Sequence, residues 1–454
     1  MDIRNTLELE KINTNRGNIP EANYQTDDIK VRLISDESEF KSLKNKWNSL
    51  AATADVHIFQ THEWQYIWWQ HFAGESNRQS LHILLFYQRD QLVGIAPFFV
   101  DRFRFMGKTL FQCLRLIGSK VMQNPEGRAM GERTYTDYLD LIIRPGSEKD
   151  VSLALLEYIK NTAHYDSIII EEVPESGSLF VHFIPLLLDL KTKWKPVISD
   201  SSVCTVSKLP VSWDHFLKSL SRNARYEVRR YLKRASDKSK KKVFDCEKLT
   251  DREKIKDAFD WLVTTHQKRW NDRGRPGIFA DRRVYKFYKD VTFQLLECGR
   301  VRFQAVSLSG EDRYVAVDLM YQFKDTLYGI HRGFDDSTSY AKYGPGHVSL
   351  YTIIQNAIDE GFEKLNLLRG KEIYKSRVAN KIIQNKNIIL HRNSASKNLS
   401  VRLYHLLNQM YALKRKFTTE WTIFKMYCLH HRFFPGISKY RKDLLHRAAE
   451  RFGN

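Results

Sequence analysis

The sequence predicts an α/β protein with mixed sheets, built from two similar units in tandem and followed by a basic helical extension. Three observations carry this prediction. A hairpin, a strand, a crossover helix and a strand recur in the same order over residues 81–172 and 301–368. The helix-to-strand spacing repeats as well, Val151 to Ile168 matching Val348 to Leu365. The 454-residue chain, 42% hydrophobic and 13% aromatic, is long enough for two cores and rich enough to fill them.

Residues 1–28 are polar and mixed in charge and read as a flexible leader, without the apolar stretch of a secretory signal. Ile29–Ile34 alternates as a strand, and Asp36 is placed to cap a helix running to about Ala52. Thr61 is the cap candidate for Glu63–Phe72, whose Trp64, Tyr66, Trp68 and Trp69 form an aromatic stripe suited to a core. Leu81–Tyr87 and Leu92–Val100 flank a turn as a hairpin, and residues 103–130 read only as loops and short strands. Tyr138–Ile143, Glu148–Thr162 and Ser167–Glu172 follow as strand, helix and strand, completing a unit over 29–205.

The second unit, 206–390, opens with a basic helical segment over 213–242. Ser212 or Asp214 caps a helix Trp213–Ala235, with Leu217, Leu220, Ala224, Val228 and Tyr231 on one face and Arg222, Arg225, Arg229 and Lys233 on another. In the helix starting at Asp251 or Arg252, Ile255, Phe259, Leu262, His266 and Trp270 make one continuous stripe. A helix Val284–Cys298, a hairpin of Val301–Leu308 with Tyr314–Phe323, and a strand Leu327–Ile330 lead to the helix 348–360 and the strand 364–368. Residues 391–454 read as the basic helical extension.

The net charge of +20 sits in two places. Residues 218–242 hold 11 Lys/Arg against two acids, and residues 391–454 hold 13 against three. Such surfaces meet anionic partners or are simply solvated. The extension also carries Trp421, Phe424, Tyr427, Phe433 and Phe434 among its basic residues, so it either packs against the body or lies on an anionic bilayer. The five scattered cysteines have no metal-site spacing, and no metal is expected. With no apolar run long enough to span a bilayer, the expected location is the cytoplasm, peripheral at most at the inner face of the membrane.

Chemistry concentrates in residues 327–377. Tyr343-Gly344-Pro345-Gly346 opens a helix, which leaves backbone N–H groups at the positive end of the helix dipole, a ready place for phosphate. The competing reading is an ordinary turn. The first unit has only Arg144-Pro145-Gly146 at the matching place, so the first unit reads as architecture and the second as the bearer of chemistry.

Several motifs then occur in a telling order: Phe59-Gln60-Thr61-x-Glu63-Trp64; Ser219-Leu220-Ser221-Arg222-x-x-Arg225-x-x-x-Arg229-Arg230; His266-x-x-Arg269-Trp270; Gly333-Phe334-Asp335; Tyr343-Gly344-Pro345-Gly346; and Leu368-Arg369-Gly370-x-Glu372-x-Tyr374-Lys375. Together they resemble GNAT-superfamily acetyltransferases of the CelD, cellulose-biosynthesis type. The resemblance implies tandem GNAT-like domains, a central sheet that splays to admit the arm of acetyl-CoA or another acyl-CoA, and acyl transfer to an amine. The acceptor would be a small molecule or glycan precursor, such as an amino sugar. Asn366 stands where the family usually has Asp, and Val378 where it has Trp.

On this reading Gly344, Gly346, His347 and Val348 hold the CoA pyrophosphate through backbone N–H groups, with Lys375 neutralising phosphate. Backbone N–H groups near His331 polarise the acyl carbonyl. The attacking amine must lose a proton, and His266 and Asp318 are the candidate bases, against the alternatives of a core histidine and an ion-paired structural carboxylate. Tyr374 matches the donor tyrosine of GNAT enzymes or merely packs, and Arg269, Trp270, Arg369, Glu372, Arg225 and Arg229 are assigned to substrate. Two readings compete. The FemAB/FemX peptidyltransferases also carry two GNAT-like units around a basic segment and use aminoacyl-tRNA, which would make tRNA the only nucleic-acid partner. The other is a catalytically silent scaffold of a polysaccharide assembly.

Overall fold

The computed structural model describes residues 29–392, apart from 75–76, 123–135, 162–164, 190–193, 237–242, 274, 312, 336–339 and 371, together with Trp421 and Phe424. The proposed leader and nearly all of the basic extension lie outside the described residues.

The first unit runs β1 (Ile29–Ile34), α1 (Glu37–Ser42), α2 (Lys44–Thr53), α3 (His62–Phe72), β2 (Gln79–Gln88), β3 (Gln91–Phe105), β4 (Lys108–Leu116), β5 (Ile142–Ile143), α4 (Glu148–Asn161), β6 (Ser167–Pro174), α5 (Ile184–Asp189) and β7 (Trp194–Lys208). The second runs α6 (Trp213–Ser219), α7 (Arg222–Ser236), β8 (Phe244–Leu249), α8 (Arg252–Asp272), α9 (Arg282–Glu297), β9 (Val301–Leu308), β10 (Tyr314–Phe323), β11 (Thr326–Phe334), α10 (Pro345–Asp359), β12 (Lys364–Arg369), α11 (Ile373–Ser376) and β13 (Lys381–Arg392).

The recurring order seen in the sequence is a repeat of topology. β1 to β4 pair antiparallel in succession and β6 returns parallel to β4; β8 to β11 do the same and β12 returns parallel to β11. Each parallel return is made by a crossover helix, α4 in one unit and α10 in the other. The units share one sheet by exchanging their last strands: β7 pairs with β12, β13 pairs with β6, and β7 and β13 pair with each other. Aromatic packing between α3 and α9 closes one face of the junction, with Trp64 and Phe287 ring centroids 5.0 Å apart. The tryptophan stripe of α3 is core, Trp64, Trp68 and Trp69 all being buried.

Several expected elements differ. The helix expected over 36–52 is two helices broken at Leu43, although Asp36 caps it as expected by accepting the Glu39 amide. The strand expected over 138–143 shrinks to Ile142–Ile143, and Tyr138 itself sits in left-handed backbone at φ 56°. The basic helix expected over 213–235 breaks at Leu220, which is extended, into α6 and α7. β7, β8 and β13 went unassigned from sequence; β13, Lys381-Ile-Ile-Gln-Asn-Lys-Asn-Ile-Ile-Leu-His-Arg, interrupts its aliphatic pairs with Gln, Asn and Lys.

Candidate active site

β11 and β12 pair only from Thr326–Tyr328 to Lys364–Asn366, and then part. Thr326–Tyr328 are buried, whereas the next four residues of β11, Gly329–Arg332, are half-buried in the middle of a wide sheet. Two backbone irregularities open the gap. Ile330 is an extra residue in β11, since Gly329 faces Met320 while His331 faces Leu319. On β12, Leu368 takes φ 56°, where the register with β7 also shifts.

Asn366 holds that kink. Its Oδ1 accepts the Leu368 amide at 2.9 Å and its Nδ2 donates to the Tyr138 hydroxyl at 3.0 Å. The Tyr138 ring stacks on His57 at 4.1 Å between centroids, and His57 Nδ1 lies 3.0 Å from the Tyr328 hydroxyl. The last paired residues of both parting strands are therefore braced by side chains of the first unit.

Successive β11 side chains leave opposite faces of the sheet. Toward α10, Arg332 donates through Nε to Asp318, and the Ser349 hydroxyl donates to the other Asp318 oxygen. Burial opposes charge on Arg332, but Asp318 more than offsets it and keeps the guanidinium cationic. The guanidinium lies 5.4 Å over the Tyr374 ring. Burial, against the pull of Arg332, raises the Tyr374 phenol, so it stays protonated at neutral pH. Arg332 and Phe334 both flank Gly346, and Arg269 lies 3.9 Å over the Phe334 ring. Gly333 makes this convergence possible, since a Cβ there would stand 3.1 Å from the Leu262 carbonyl of α8.

Toward α8 and α9, His331 lies against Tyr288 at 4.3 Å, Phe279 at 5.0 Å and His266 at 6.2 Å between ring centroids. Trp270 Nε1 donates to His266 Nε2 at 2.9 Å, which puts the His266 proton on Nδ1. Burial lowers His266 to about 4 and His331 to about 3, so both are neutral at pH 7. His266 is thus a weak base. Asp318 is engaged in an ion pair, the alternative weighed for it from sequence.

The mouth of α10 differs from the expected phosphate cradle. Gly344 does take the left-handed conformation, φ 68°, that the turn requires. Yet the Gly344 amide donates to Ala341, and the His347 and Val348 amides both donate to the Gly344 carbonyl; Gly346 is the one amide of the four with no acceptor among the described residues. Tyr231 of α7 covers the turn, stacked on His347 at 4.7 Å, and a Cβ on Gly344 would stand 2.5 Å from its ring. Three of the four expected donors are spent within the turn, which leaves the Gly346 amide for a pyrophosphate.

Other predicted residues are held by partners outside the opening or face solvent. Arg369 donates to Asp137 at 2.6 Å and to the Thr136 carbonyl at 2.9 Å, tying β12 to the first unit. Lys375, expected to meet phosphate, is buried and donates to the Arg369 carbonyl at 2.6 Å, with Glu372 3.1 Å away. Arg225 caps α6 through the Leu217, Lys218 and Leu220 carbonyls, groups a helix end leaves unpaired. Arg229 stands exposed on the outside of α7. Sequence reasoning missed Arg332, Ser349, Tyr231 and Tyr138. Arg332 had one signal, a cation in an apolar strand three residues past Gly329.

In the first unit β4 and β6 likewise pair over three residues, Cys113–Arg115 with Ser167–Ile169, but there ion pairs among the described residues bridge the strands. Where β4 and β6 would part, Arg115 of β4 reaches Glu171 of β6 at 3.0 Å and Asp101 of β3 at 3.4 Å, and Lys120 reaches Glu171 at 3.1 Å.

Residues 222–376 match the family model described as "Acetyltransferase (GNAT) domain". No curated protein matches the chain. Among solved structures the chain is similar to FemX, at 12% identity over 83% of this chain and 100% of that one, with a TM-score of 0.53. A conserved protein of unknown function from Bacteroides thetaiotaomicron is matched at 12% identity over 80% and 100%, TM-score 0.47. A tandem GNAT protein from the clavulanic acid biosynthesis pathway is matched at 9% identity over 81% and 99%, TM-score 0.40. The likeness to FemX is one of fold.

Proposed function

We propose, from the acetyltransferase (GNAT) domain that residues 222–376 form, that the chain moves an acyl group from an acyl-CoA to an amine. The acceptor is an amino sugar or another precursor of a polysaccharide or envelope polymer, as the CelD-type motifs suggest. The observation that carries the reading is the parting of β11 from β12 beside Arg332 and Tyr374. In the transfer, the amine nitrogen bonds to the acyl carbon, the bond to the leaving group breaks, the leaving group gains a proton and the amine loses one. On this reading Tyr374, held protonated, gives the first of these protons, and Arg332 supplies positive charge as the carbonyl oxygen turns anionic. The second proton leaves to water, because the one basic nitrogen of His266 already accepts from Trp270.

A second reading is favoured by a specific observation. The α10 turn offers a nucleotide diphosphate little, which suits a donor without one, such as the aminoacyl-tRNA of the FemAB/FemX type. We place the protein in the cytoplasm, with residues 391–454 reaching an anionic membrane surface.

The test is donor-dependent stabilisation. Thermal unfolding with acetyl-CoA, longer acyl-CoAs and aminoacyl-tRNA discriminates the readings. A rise with a thioester supports the first, and a rise with charged tRNA alone supports the second. No rise with any donor, and no product from a panel of amines, contradicts both and leaves a scaffold.

A further inference from the structure

We infer that the outer layer formed by α6, α7 and residues 373–382 docks on an anionic phospholipid bilayer. α7 has two faces of different chemistry. Ala224, Val228 and Tyr231 turn inward and pack in the core that includes α10. Arg222, Tyr226, Arg229 and Lys233, spaced as one helical stripe, turn outward and are all exposed. Lys218 of α6, Lys208 at the end of β7 and Lys381 at the start of β13 are exposed as well.

The neighbouring elements belong to the same layer. Phe216 and Leu217 of α6, Leu220, Val228 of α7 and Val378 after α11 share one core, and Arg377 pairs with Glu227 of α7 at 2.6 Å. Around that layer large apolar side chains stand bare: Val211 is 92% exposed, Ile373 72%, Ile382 68% and Tyr226 66%. Ile383 packs toward the core containing α8, so strand alternation sends Ile382 out of the α10 face of the sheet. Asp214 and Glu372 are exposed acids at this surface, but Glu372 is paired with Lys375 and the half-buried Glu227 with Arg377.

A cationic stripe bordered by bare aliphatic residues fits a surface that is anionic outside and apolar beneath. RNA would use the cations and stack on Tyr226, but it offers nothing to Val211, Ile373 or Ile382. Residues 393–454 are a poor cover for the layer, because that segment is itself strongly basic. Ile373 adjoins Tyr374, so docking would bring the rim of the parted strands to the lipid surface. The inference goes beyond the acyl-transfer reading and is independent of the donor.

The test uses the full chain and sedimentation with vesicles of phosphatidylcholine alone or rich in phosphatidylglycerol. Salt-sensitive binding to the anionic vesicles is expected. Arg222→Glu, Arg229→Glu and Lys233→Glu together should weaken it by about a hundredfold, and Val211→Ser, Ile373→Ser and Ile382→Ser together by about tenfold. Unchanged near-ultraviolet circular dichroism shows that each variant is folded. Should a triple variant be unfolded, the single changes Arg229→Glu and Ile373→Ser replace it, each with a smaller loss. Full binding by the folded variants assigns any membrane affinity to residues outside this layer and overturns the inference. So does the absence of vesicle binding, or displacement of the vesicles by RNA with equal loss in the charge variant and none in the aliphatic one.

Discussion

The Tyr138 hydroxyl and the Asn366 side chain meet at 3.0 Å across the boundary between the two units, at the point where β11 and β12 begin to part. Asn366 in turn accepts the amide of Leu368, whose left-handed backbone makes the kink. A residue of the first unit therefore helps to shape the opening in the second. Tyr138→Phe should cost about 1–2 kcal/mol of stability. Asn366→Leu should cost more, because it strips the buried Leu368 amide of its acceptor. In a double-mutant cycle read by chemical denaturation, the two changes should couple by about 1 kcal/mol. Simple additivity would show that the contact does not hold the kink.

Asp318 and Arg332 are predicted to act as a pair. Asp318 is 7% exposed in its side chain and Arg332 19%, so either one alone is a poorly solvated charge. Asp318→Asn should lower stability by roughly 3 kcal/mol, and adding Arg332→Met should recover part of that loss. If Asp318 were instead a free general base, Asp318→Asn would leave stability nearly unchanged while abolishing turnover.

Tyr374→Phe keeps the ring under Arg332 and removes only the hydroxyl with its proton. Turnover should fall by roughly a hundredfold with KM little changed. Equal turnover for both proteins in single-turnover kinetics would assign Tyr374 to packing.

Much of the fold was legible because periodicity reports burial. The crossover helices, both hairpins and the repeat itself follow from apolar spacing, and the tryptophan stripe of α3 is core as read. Strands buried at the junction were not legible: β7 and β13 owe their place to each other and to β6 and β12, not to their own pattern. The site was legible in part. His266, Arg269, Asp318, Gly346 and Tyr374 each lie against a β11 residue, and Trp270 against His266. Arg225, Arg369 and Lys375 were misplaced because a cation's sequence position does not reveal its partner; here helix carbonyls, Asp137 and a strand-end carbonyl claim them. The turn at Gly344 was found, but Tyr231, 113 positions earlier, was invisible as its cover.

Buried histidines set a pH dependence of stability. Burial lowers His57, His82 and His266 to about 4 and His331 to about 3, below the ordinary 6.5. The unfolded chain then binds more protons than the folded one between these values, so stability is full above pH 6.5 and falls as pH drops toward 4. Thermal unfolding should show this decline, and His57→Gln should flatten it. A melting temperature constant from pH 7 to pH 4.5 would contradict the assignment.

On the proposed function, an acyl donor enters between β11 and β12. Hydrogen-exchange mass spectrometry with and without the donor that stabilises the protein tests it most directly. Protection over Gly329–Phe334 and Lys364–Arg369, with β4 and β6 unchanged, is the predicted result. Donor binding that leaves those two segments unprotected, or protects β4 and β6 instead, would contradict it.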